Sequence, residues 1–156
     1  MTRFPISLLV IPFLFSPLSK WAAPNVFEGG ADQPMIVARG HAVCLDVGDR
    51  PVESLFACAE PNQRFGFSSS TGKLFKFLPY DVMTPVFTDT RVRQRELQLT
   101  ARLHAQDLLE IIKVQSVKGG QVFDILYFCE VCNIKAFTPG LCPCCRAELE
   151  FRETPP

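Results

Sequence analysis

The sequence is short of most signatures by which a function is read. It has no excess charge, because 16 basic and 16 acidic residues cancel. No global field therefore draws the chain to nucleic acid or to an acidic membrane. It has no phosphate-cradling glycine loop and no dinucleotide fingerprint. No serine, histidine and aspartate follow one another in the order of a hydrolase triad. Only two histidines occur, His41 and His104, and each reads as a structural or surface residue, not a ligand. No Cys-x-x-Cys is followed by histidine, which excludes attachment of a c-type haem. No catalytic set emerges, and the sequence points away from an enzyme.

What is present bounds the fold. The chain has 156 residues, 47% of them hydrophobic, enough for one domain with its own core and a small appendage. One tryptophan and two tyrosines stand against 14 phenylalanines, and phenylalanine among valine and leucine favours strands. The 13 prolines interrupt long helices. The seven cysteines are unevenly spread, with five of them between positions 129 and 145.

The N-terminus reads as an address. Arg3 precedes FPISLLVIPFLFSPLS, with no further charge until Lys20. A positive start and a short apolar run form the pattern of a secretory signal. The run is shorter than the ~20 residues of a spanning helix, and Pro5, Pro12 and Pro17 interrupt it. Ala23 offers a small residue for cleavage, with bulky Trp21 two positions earlier. The reading is export, periplasmic or secreted, with residues 1–23 as a signal peptide. An uncleaved anchor tethering the chain to the membrane is the alternative, and a buried N-terminal segment is the rival to both. Residues 24–35, rich in proline, glycine and small polar residues, read as a linker.

The middle, residues 36–126, reads as a small β-barrel. IVARGHAVCL is a strand with a bend at Gly40, and PVESLFACAEPNQ holds a short helical turn. RFGFSSSTGKLFKFLP is a hairpin, with Phe65 and Phe67 on one side and Ser70, Thr71 and Gly72 in the turn. ELQLTARLH sets Leu97, Leu99, Ala101 and Leu103 at period two. RVRQRELQL has a helical reading, but the leucine alternation running through it favours strand and lines up Arg91, Arg93 and Arg95 on one face. OB-folds bind single-stranded nucleic acid on such faces, yet without aromatic partners the face reads as a charged, aggregation-blocking edge. LLEIIKVQSV and QVFDILYFC flank Gly119 and Gly120, a hairpin signal, because glycine accepts the positive φ of a tight primed turn. Five or six short strands with one irregular crossover suit an OB-like barrel. The order of elements resembles small exported bacterial OB-like domains, through Gly40, Cys44, Cys58 and the hairpin turn Thr71, Gly72, Lys73, Leu74 and Phe75. That resemblance spans about residues 36–118 and implies a fold more than a function. Cys44 and Cys58 are open to two readings, a disulfide or two buried free thiols.

The C-terminal residues 127–156 carry the strongest signal. Cys129 and Cys132 are two residues apart, as are Cys142 and Cys145, and nine residues separate the pairs. Each pair closes a tight turn that aims two thiolates at one point. Two such turns facing each other give the tetrahedron of sulfurs that Zn²⁺ takes in closed sites. Pro139 and Gly140 supply a turn between them. Two rivals stand beside metal: disulfides among the four thiols, and thiol–disulfide chemistry by one pair, which ordinarily needs a helix N-terminus. Cys144, inside the second pair, reads as a passive turn residue, a spare ligand or a reactive thiol.

The segment resembles a zinc-ribbon or rubredoxin-like knuckle, with Cys142, Pro143, Cys144 and Cys145 as its Cys-Pro-x-Cys half. It also resembles the short heavy-metal-binding module of copper-transport ATPases and efflux proteins, through Tyr127, Cys129, Pro139, Gly140, Cys142, Pro143, Cys145 and Leu149. Cys132 stands where that module has histidine, and Val131 and Ala147 stand where it has methionine. Without thioethers the site loses ligands suited to Cu(I). Four thiolates favour zinc, with iron or copper as alternatives. The expected whole is all-β: an OB-like barrel with a C-terminal zinc-ribbon-like knuckle. Its first functional reading is a metal-stabilised module that binds a protein partner and no nucleic acid. The second is envelope handling of copper or zinc, and the third is thiol redox chemistry.

Overall fold

The computed structural model describes residues 33–52, 58 and 62–156. The expected signal segment 1–23, most of the linker 24–35 and most of PVESLFACAEPNQ, with its expected helical turn, lie outside the described residues. The fold is mostly β. Its strands are β1 (Met35–Leu45), β2 (Pro51–Val52), β3 (Arg64–Ser69), β4 (Leu74–Phe77), β5 (Glu96–His104), β6 (Leu108–Lys118), β7 (Gln121–Cys129), β8 (Ile134–Ala136) and β9 (Glu150–Thr154). A four-residue helix, α1 (Thr90–Arg93), precedes β5.

Five of these strands form a closed ring. β1 pairs with β3, β3 with β4, β4 in parallel with β6, β6 with β5, and β5 returns to β1. Closure removes the free edges at which strands of other chains could add. The ring meets the expectation of an OB-like core, and β1 is what makes it possible. Its first half, from Met35, pairs with β5 and its second half, to Leu45, pairs with β3, with Gly40 shared by both ladders. A Cβ on Gly40 would sit 2.0 Å from the Ser68 carbonyl oxygen, so only glycine lets the strand change partners here. The two predicted hairpins are present. Gly119 and Gly120 hold φ of 55° and 82° between β6 and β7, as a primed two-residue turn requires.

The predicted alternation selects the core. Leu97, Leu99 and Ala101 of β5 are fully buried, as are Phe67 of β3 and Leu109 of β6. The segment between β4 and β5 plugs the ring. Val86, Phe87 and Val92 are fully buried, and Phe87 stacks on Phe77 with ring centroids 5.0 Å apart. Each such side chain contributes roughly 1.5–3 kcal/mol of transfer free energy.

One expectation fails in this segment. RVRQR is not the start of a strand, and Arg91, Arg93 and Arg95 do not share a strand face. Asp89 caps α1 by accepting from the Arg91 backbone N–H at 2.9 Å, which turns Arg91 and Arg93 into a helical turn before β5 begins at Glu96. The three guanidiniums then part: Arg91 pairs with Asp89, Arg93 donates to the Phe87 carbonyl, and Arg95 pairs with Glu153.

The C-terminal segment builds directly on the ring. β7 pairs with β6 through Gln121–Asp124, then with β9 through Asp124–Phe128 and with β8 through Tyr127–Cys129. Tyr127 is fully buried in the same apolar cluster as the ring residues, and Ala136, Leu149 and Phe151 pack against that cluster. The sequence pattern does not predict β8 and β9, since each is short and carries charge.

Candidate metal centre

The four predicted cysteines converge. Cys129 ends β7, and Cys132 lies in the turn that leads to β8. Cys142 and Cys145 lie in a second turn, closed by bonds from the Cys142 N–H to the Ala147 carbonyl (2.8 Å) and from the Arg146 N–H to the Cys142 carbonyl (3.0 Å). The two turns share a device. The residue after the second cysteine of each pair, Asn133 and Arg146, holds a positive φ of 53° and 63°. That left-handed step reverses the chain around the sulfurs, readily for asparagine and at a small steric cost for arginine.

All four Sγ atoms lie within 4.8 Å of one another, and Cys129 Sγ and Cys145 Sγ are 3.5 Å apart. Sulfurs around a tetrahedral zinc, with Zn–S of about 2.3 Å, stand about 3.8 Å from each other. The donor set therefore fits a four-thiolate ion of that size. Cys129 and Cys142 are buried, Cys132 is half-buried, and Cys145 is exposed. None of the four is in a disulfide.

Backbone donors serve the sulfurs unevenly. The N–H groups of Cys145 and Cys144 point at Cys142 Sγ and, against the cost of burial, bring its thiol down to about 7. The Cys132 N–H acts in the same sense on Cys129, but burial and the neighbouring thiols of Cys145 and Cys142 outweigh it, and that thiol ends higher than usual. Cys132 is pushed up most, by hydrogen bonding with Cys144 and Cys145 and then by burial. A divalent cation held by all four sulfurs would bind them as thiolates and displace their protons.

Arg152 of β9 braces the lobe internally: it donates to Glu130, inside the first cysteine pair, and to Glu150, at 2.6 Å each. Its guanidinium lies 4.3 Å from the Phe128 ring centroid. Other contacts fasten the lobe to the ring. Glu153 accepts from Arg95 and Lys118. The Tyr127 hydroxyl donates to Asp89 at 2.9 Å, and Arg91 lies 4.6 Å over the Phe151 ring. The contacts to the ring are not legible along the chain, because Glu153 and Arg95 stand 58 positions apart and Tyr127 and Asp89 stand 38 apart.

The other sequence candidates stand outside the group of four. Cys44 and Cys58 are joined in a disulfide. Cys144 is a free, exposed thiol. His41 Nδ1 donates to the Arg95 carbonyl at 3.0 Å, and His104 Nε2 lies 3.2 Å from Glu110 Oε2. Neither histidine belongs to the cysteine group. The chain matches no protein-family model, no curated protein and no solved structure.

Proposed function

We propose that Cys129, Cys132, Cys142 and Cys145 hold a zinc ion that staples the C-terminal lobe, and that the chain is an exported binding protein. The convergence of four sulfurs within 4.8 Å carries the reading. A lobe of about 30 residues cannot supply a sufficient core alone, and metal replaces that core. The Cys44–Cys58 disulfide supports an oxidising compartment, with residues 1–23 as signal peptide or anchor. In such a compartment four clustered thiols stay reduced when a metal occupies them. The lobe also leaves Val131 and Leu141 exposed, at 81% and 56%, and these offer an apolar face to a protein partner.

A second reading, envelope handling of zinc or copper, draws on the exposure of Cys145 and Cys144, which opens the centre to an outside thiol. Thiol–disulfide catalysis has no such support, because neither pair opens a helix among the described residues, where a redox thiol is ordinarily activated.

Elemental analysis of the purified mature chain, with a thiol count before and after chelation, tests the proposal. The expected result is one zinc per chain, with its thiols titrating only after chelation and both zinc and lobe structure lost in Cys129→Ser. No metal with few free thiols refutes it. Rapid exchange, or preference for Cu(I), selects the second reading.

A further inference from the structure

A cleft opens where the ring meets the C-terminal lobe. β6 pairs with β7 only as far as Gln115↔Asp124, and β8 takes up that edge of β7 from Tyr127 onward. Between them the β7 residues Ile125 and Leu126 form the floor of a cavity of about 420 Å³, also lined by Ile112, Val114 and Phe137. A volume of that order suits a small molecule.

The fold places apolar groups here at a cost. A bulge between β5 and β6 pairs Thr100 with Lys113 and Ala101 with Ile111, skipping Ile112. Ile112 is thereby turned outward and is 42% exposed, and Phe137 on the opposite wall is 62% exposed. Two lysines and one carboxylate join them. Lys113 is paired with Asp124 at 2.7 Å, and Asp124 also accepts from Gln115 Nε2 at 2.6 Å. Lys135 has no ion-pair partner among the described residues. The cleft is thus apolar within, and one ammonium at its wall is uncompensated.

We infer that this cleft binds a small amphiphile with an apolar tail and a single carboxylate. The tail lies along Ile112, Ile125, Leu126 and Phe137, and the carboxylate meets Lys135. One ammonium suits a monoanion, whereas a phosphate ester would call for several donors. The inference does not depend on which metal the cysteines hold.

Titration of the full chain with decanoate, below its micellar concentration, tests this by calorimetry and by amide chemical shifts. Saturable binding is expected, with shifts centred on residues 112–114, 124–126 and 135–137. Decyltrimethylammonium, with the same tail and the opposite charge, is expected to bind at least fivefold more weakly. Lys135→Gln is expected to weaken decanoate about fivefold, the effect of one exposed ion pair, and to leave the cationic probe unweakened. Ile112→Asp, at an exposed position that the fold tolerates, is expected to abolish both. Absence of saturable binding, equal binding of the two probes, shifts located elsewhere, or binding that survives Ile112→Asp each overturns the inference. So does a self-association that buries Phe137 and excludes decanoate. None of these results bears on zinc content, which is measured on the same samples.

Discussion

Glu153→Gln tests how the metal-bearing lobe is held to the ring. The Glu153 carboxylate is only 7% exposed, and it receives Arg95 Nε at 2.6 Å and Lys118 Nζ at 2.6 Å. Arg95 Nη2 adds a second bond at 2.8 Å. Burial alone would raise its pKa, but the bonds from Arg95 and Lys118 outweigh burial and bring it from 4.5 to about 2. At ~1.36 kcal/mol per pH unit, that difference is worth about 3 kcal/mol. Arg95 and Lys118 are 28% and 48% exposed, so water recovers part of the loss when the charge is removed. The expected cost at pH 7 is about 2 kcal/mol. The sign follows from the lowered folded-state pKa. As pH falls, the unfolded chain takes up the proton first, so the contribution is complete above pH 4.5 and is lost as pH falls towards 2. Urea unfolding of both proteins across pH 2–7 isolates this group, because other carboxylates and the metal cancel in the difference. A difference under about 0.5 kcal/mol at pH 7, on the scale of an ordinary surface change, refutes the argument. So does a difference that stays constant down to pH 2.

Three further perturbations follow from the same structure. Replacing Cys44 and Cys58 by alanine opens a loop with a sequence separation of 14; a loss of about 3 kcal/mol is expected, read as a lower urea midpoint. Gly40→Ala sets a methyl group 2.0 Å from the Ser68 carbonyl oxygen; it is expected to cost more than about 3 kcal/mol, far beyond a typical substitution, and circular dichroism of a soluble, fully folded variant would contradict it. Chelation at pH 7 is expected to release amide protection first over residues 129–149 and β9, while Leu97 and Leu99 stay protected; uniform loss across all strands would show that metal holds the whole fold and not the lobe.

Much of this protein is local, and local features were legible. Alternation at Leu97, Leu99 and Ala101 names the buried face of β5 without any partner, because side chains in a strand alternate with period two. The Gly119–Gly120 turn and the two Cys-x-x-Cys pairs are likewise determined over a few residues, by φ and by thiolate geometry. RVRQR misled the reading because its alternation is that of a strand, while the Asp89 side chain, outside the pattern, caps a helical turn there. β8 and β9 were hidden because strands of three and five residues have no core pattern of their own; they exist because β7 offers them an edge. The sequence by itself determined that two cysteine pairs would face each other and that the chain would be built of strands. Only the tertiary structure decided that β1 serves two partners and closes a ring, that Glu153 meets Arg95 across 58 positions, and that a bulge at Ile112 opens a cleft beside Lys135. Each of these depends on where distant strands come to lie, and no spacing along the chain records that.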